Sequence, residues 1–130
     1  DQIGQASGIK MCYAALTKGT HTLHVALLTA ANKMGLTEDL RNEFEFSQKA
    51  HLNAMEKGIS RLPANAHRWI GEMEEIASTF EHLGVTPNFH KGAADVYKML
   101  NATPFAEETP ETIDNDRTAW ETIEAVSNLD

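Results

Sequence analysis

From Ile9 onward, apolar or small residues recur at Tyr13, Leu16, Thr20, Leu23, Leu27, Ala30 and Met34, in alternating steps of four and three. That spacing is one face of an α-helix. It predicts a helix from about Ala6 to Met34, roughly 40 Å long at about 1.5 Å per residue. Gly35 should close it, with Leu36 just beyond in the manner of a Schellman ending. Gly19 falls inside the helix, where glycine costs about 1 kcal/mol relative to alanine. Close packing of another backbone, or a tolerated defect, would account for it.

Further periodic stretches predict shorter helices. Thr37 reads as an N-cap, with Glu38 and Asp39 at the positive end of a helix running to about Phe46. Ser47 should cap the next, which carries Leu52, Met55, Ile59 and Leu62 until Pro63 ends it. Asn65 then caps a helix carrying Trp69, Met73, Ile76, Phe80 and Leu83, stopped by Gly84. After "VTPNF" a helix from Asn88 to Leu100 is expected to bury Phe89, Ala93, Val96 and Leu100. The stretch "NATPFAEETPET" is a loop by its prolines and polar content. A last helix, from about Pro110 to Asn128, places Ile113, Trp120, Ile123 and Val126 on one side. No strand pattern is present, so the class is all-α: five to seven helices around one long helix.

At 130 residues the chain is one domain, residues 1–130, long enough for a single core. No apolar run approaches the roughly 20 residues of a bilayer span, and no signal-peptide pattern opens the chain. A formal charge of −8 argues against a duplex nucleic-acid partner. With Cys12 as its one cysteine the chain cannot form an internal disulfide, which fits a cytoplasmic location. The start at Asp1 rather than Met points to a piece of a longer protein. The acidic run Glu107, Glu108, Glu111, Asp114, Asp116 reads as a solvated surface.

Candidate chemistry is sparse. His21 and His24 could share a helix face, and Glu43 or Glu45 could complete a bundle metal site. No Glu-x-x-His or His-Glu-x-x-His motif supports that, and no metal is expected. Cys12 has no partner base marked in the sequence and reads as a small hydrophobe. "GQASG" follows no strand and lacks a terminal Lys-Ser, so it is not a complete phosphate loop. Lys10 is more informative. It sits early in a helix, where the dipole disfavours a cation, and follows the small residues Gly4, Ala6, Ser7 and Gly8.

The stretch "GQASGIKM" resembles the opening of the C-terminal helical domain in the β-hydroxyacid and 6-phosphogluconate dehydrogenase superfamily. There a Gly-x-Gly-x-x-x-Lys pattern leads into a long helix. Gly4 matches the first glycine, Ala6 replaces the second, and Lys10 falls on the lysine. "SGIKM", "TKG", "AANKMGL", "ISRLP" and "RWIGEMEEI" are similar to a subgroup of NAD-binding, phosphogluconate-dehydrogenase-like proteins. The resemblance spans roughly residues 3 to 100.

That resemblance implies an NAD(P)-dependent oxidoreductase whose Rossmann domain lies outside this chain, with NAD or NADP bound mainly there. Lys10 would act as general acid/base on an alcohol or hydroxyacid, given enough burial to lower its pKa towards neutrality. Tyr13, Ala14, Thr17 and His21 would line the small-molecule substrate, and Gly4, Ser7 and Glu74 would approach the cofactor. A homodimer is expected, as relatives pair through these helices. Two departures stand out. The family's asparagine is Ala14, with Tyr13 beside it as a substitute hydroxyl, and a Lys-Asp pair near the cofactor is Glu74-Glu75. Lys18 reads as solvated, and Trp69, after Arg68, as core. The rival reading is a non-catalytic helical dimerisation or interaction domain.

Overall fold

The computed structural model describes residues 2–130, and no strand occurs among them. Six α-helices, α1 (Gln2–Lys33), α2 (Thr37–Ser47), α3 (Lys49–Gly58), α4 (Pro63–His82), α5 (Asn88–Asn101) and α6 (Ala119–Ser127), form an all-α bundle. Short 3₁₀ turns lie at Ile59–Arg61 and Pro104–Glu107. α4 and α5 form an antiparallel hairpin, and α1 packs against both it and α6. Val25 and Leu28 of α1 meet Met55, Ile59, Met73, Ile76, Tyr97, Leu100, Ile123 and Val126 in one core. Each such large side chain contributes about 1.5–3 kcal/mol on leaving water.

Helix ends at glycine follow the expected chemistry. Gly35 adopts φ +73° and Gly84 φ +76°, the left-handed region that glycine enters without strain. At Gly35 the amides of Leu36 and Gly35 donate to the carbonyls of Ala31 and Asn32, at 2.8 and 3.0 Å. Val85 and Gly84 repeat this on Phe80 and Glu81, at 2.9 and 3.1 Å. Both are Schellman turns.

Helix starts depart from expectation. Thr37 is already helical, and its hydroxyl donates to Asn32 Oδ1 at 3.0 Å instead of capping α2. Ser47 stays within α2 and donates back to the Glu43 carbonyl at 2.9 Å. Pro63 opens α4 rather than ending α3, because its fixed φ suits a first helical turn. Asn65 therefore lies inside α4, its amide on the Arg61 carbonyl at 3.1 Å. The last helix starts at Ala119, not near Pro110. Thr118 and Glu121 close a capping box there, each accepting the other's backbone N–H at 3.1 Å.

The apolar stripes are only partly buried. Ile9, Leu16 and Leu23 are 71%, 68% and 61% exposed, and Tyr13 and Met34 are exposed too. The buried face of α1 is instead Ala14, Thr22, His24, Val25, Leu28, Thr29 and Ala31. Phe89 also faces out, since α5 buries His90, Ala93, Ala94, Tyr97 and Leu100. On both helices small and polar residues share the inner face with a few large ones, Val25 and Leu28 on α1 and Tyr97 and Leu100 on α5.

Candidate functional site

The first turns of α1 and the middle of α4 enclose a shallow groove of about 210 Å³. Ser7, Lys10, Met11 and Ala14 form one wall, and Glu72, Glu75 and Ile76 the other. Lys10 is exposed at its rim, while Ala14 is buried in its floor. The helices of this chain therefore do not supply the burial that a lysine acid/base requires.

The remaining expected site residues lie elsewhere. Tyr13 is exposed on the adjoining flank of α1, so it does not replace the missing amide within this groove. Thr17 is half-buried outside it. His21 lies ~16 Å further along α1, at ~1.5 Å per residue, where its Cε1 would be 3.4 Å from a Cβ at Gly58. Glu74 points to the α5 side of α4 and approaches Lys98 at 3.9 Å, whereas its neighbour Glu75 faces the groove. Gly4 is exposed in the opening turns of α1, near Ser7.

Lys18 and Glu72 carry an interaction that the sequence did not reveal. The Lys18 ammonium donates to both Glu72 carboxylate oxygens at 2.8 Å and lies 4.9 Å from the Trp69 ring centroid. The Tyr97 hydroxyl donates to the Lys18 carbonyl at 3.0 Å, and the Tyr97 and Trp69 rings meet edge to face at 5.6 Å. Burial first, and the Glu72 charge second, push the Tyr97 phenol well above its ordinary pKa. Together these contacts fix one wall of the groove. A partner 54 residues away has no signature in a single sequence. Trp69 packs against the core, as its stripe predicts.

A second polar cluster lies between α1 and α3. His24 is buried, with neither ring nitrogen hydrogen-bonded. Its ring stands 6.5 Å from that of His21 and 5.6 Å from that of His51, both edge to face. Burial lowers the His21 pKa, and burial followed by the charges of His51 and His21 lowers that of His24. Among the described residues, no three His, Cys, Asp or Glu side chains converge as a metal ion would need. Nor does any helix there have the length and apolarity to cross a membrane.

Comparison with known protein families matches residues 31–100 to a family described as a domain of unknown function, DUF1932. No curated protein and no solved structure matches the chain. The matched segment takes in α2 to α5, including the α4 wall of the groove, and stops short of Lys10. It covers more than half of the 130 residues, so the chain belongs to the DUF1932 family.

Proposed function

We propose that this chain is the substrate-binding helical half of an NAD(P)-dependent oxidoreductase, with Lys10 as its general acid/base. The observation that supports this best is the position of Lys10. It stands at the rim of a groove between α1 and α4, beside Ser7 and near the opening of the long helix. The sequence resemblance implies a nicotinamide-bearing domain that approaches at that edge. Gly4 and Ser7 are small and exposed, and suit the approach of a phosphate-bearing cofactor. Glu74 does not, since it is a carboxylate on the far side of α4.

When bound, the nicotinamide supplies or accepts the hydride. Lys10 accepts the hydroxyl proton in oxidation and returns it in reduction, and a domain closing over the groove excludes water from the ammonium. The Lys18–Glu72 pair holds the α4 wall in register. A cytoplasmic location goes with this reading. The test is Lys10→Met in the full-length protein, with NADH and NADPH binding followed by fluorescence. Cofactor binding should persist while turnover falls about 10²–10⁴-fold, the usual weight of a positioned acid/base. Unchanged turnover ends the catalytic reading.

A second reading, self-association without catalysis, is favoured by the outer face of α1. Leu16, Leu23 and Phe89 edge an apolar groove of about 430 Å³ between α1 and α5, with Gly19 and Gly92 in its lining. Two copies of a chain with charge −8 would meet with least repulsion at this uncharged face.

A further inference from the structure

The arm made of α2 and α3 is attached to the bundle by few buried residues. α2 buries no residue, and Phe46 at its end is 90% exposed. α3 buries only Leu52 and Met55. Arg41 of α2 reaches Glu56 of α3 at 3.3 Å, and the Trp120 indole of α6 donates to Glu56 at 3.2 Å. These are exposed contacts, and such pairs hold little, about 0–1 kcal/mol. Met55 shares the core with Val25 and Leu28, and Leu40 and Phe44 of α2 pack against it. The polar contact between α3 and α1 is the histidine cluster. His51 of α3 stands against His24, and His21 packs beside Gly58.

We propose that His21, His24 and His51 form an acid-sensitive latch. It holds α3, and with it α2, against α1 and releases both when the cluster takes up protons. His24 is 4% exposed with both ring nitrogens unpartnered, so a proton added there meets neither water nor an acceptor. The charges that act on it are its two histidine neighbours, His51 and His21, and both oppose its protonation. Among the described residues no carboxylate offsets them: Glu56 is engaged by Arg41 and Trp120, and the cations Lys57 and Arg61 are exposed. Swinging α3 away hydrates the rings and separates the charges. The closed arm resists protons that the open arm accepts at an ordinary histidine pKa of 6.5, so acid favours opening from that pH downward. The latch does not depend on the oxidoreductase reading.

Amide hydrogen exchange of the 130-residue chain tests it, compared at about pH 7.5 and pH 5 after correction for intrinsic exchange rates. Opening of residues 37–58 should increase roughly ten-fold or more relative to α4 and α5. His90 serves as an internal control. It lies on the α5 side, bonded to the Ala15 carbonyl at 3.1 Å and edge-on to Phe80, so a response centred there would point away from the latch. His24→Phe should abolish most of the acid response. His51→Phe keeps a ring against His24 without a titrating group, and should weaken the response even if His24→Phe does not fold. The latch is overturned if residues 37–58 respond no more than α4 and α5, or if His51→Phe and any folded His24→Phe retain the full wild-type change.

Discussion

Gly19 faces a neighbour: a Cβ built there would come within 3.2 Å of His90 Nε2, whereas one at Gly71 meets nothing within 4 Å. Gly71→Ala should therefore raise stability by about 0.5–1 kcal/mol in urea unfolding, the ordinary gain inside a helix. Gly19→Ala should fall short of that gain, because His90 would have to shift off its bond to the Ala15 carbonyl. The close neighbour that a glycine at this position implies is thus a side chain, not a backbone. Arg117 is a second decisive residue. Almost fully buried, it reaches Glu108 at 2.5 and 2.9 Å and the Ser60 carbonyl at 2.9 Å, and lies 4.0 Å from the centre of the Phe105 ring. Arg117→Ala should lower stability by about 1–2 kcal/mol, since it removes the bond to the Ser60 carbonyl and the packing on Phe105 as well as the Glu108 pair. A loss below about 1 kcal/mol in urea would show the clasp to be incidental.

At the scale of elements, the glycine-closed ends and the start of α5 at Asn88 were legible, while the starts of α2, α3, α4 and α6 were not. Gly35 and Gly84 announce their turns because few other residues adopt a positive φ cheaply. Starts at Thr37, Ser47 and Asn65 had several competing polar residues, and tertiary contacts chose among them. Thr118 shows what a committed cap looks like, with both halves of its box closed. Thr118→Ala should cost about 1 kcal/mol and fray α6 first, visible as faster amide exchange around Glu121 and Thr122. The long stripe on α1 was legible as a helix but not as a buried face. Its opposite side carries Ala14, Lys18, His21, Val25 and Leu28, a mixed set whose role depends on helices far away in sequence. Of the groove residues, Ser7, Lys10 and Ala14 on α1 and Glu75 on α4 were named from the sequence, while Glu72 was not.

For the molecule as a whole, the uncovered face of α1 and the buried histidines make two predictions. Leu23→Glu places a charge on the uncovered face and should abolish self-association in sedimentation velocity while leaving the thermal midpoint of the monomer nearly unchanged. A wild-type chain that is monomeric at high concentration, or a dimer that survives the substitution, would remove the second reading. Stability should also decline with acid in two stages. His21 and His24 have lowered pKa values, so their contribution is intact above 6.5 and drains away as pH falls below it. Glu108 is lowered first by the Arg117 hydrogen bond, so its contribution is intact above 4.5 and is lost further down. Thermal midpoints measured across both windows check the sign; a rise on acidification contradicts it.

The protein's one thiol belongs to this same surface, because Cys12 is exposed one turn from Leu16. A solvatochromic dye attached to that sulfur would sit in water on the isolated chain and shift to the blue whenever anything apolar settles on the helix. The molecule thus offers a single-site optical gauge that needs no engineered residue and reads occupancy of this bare face directly.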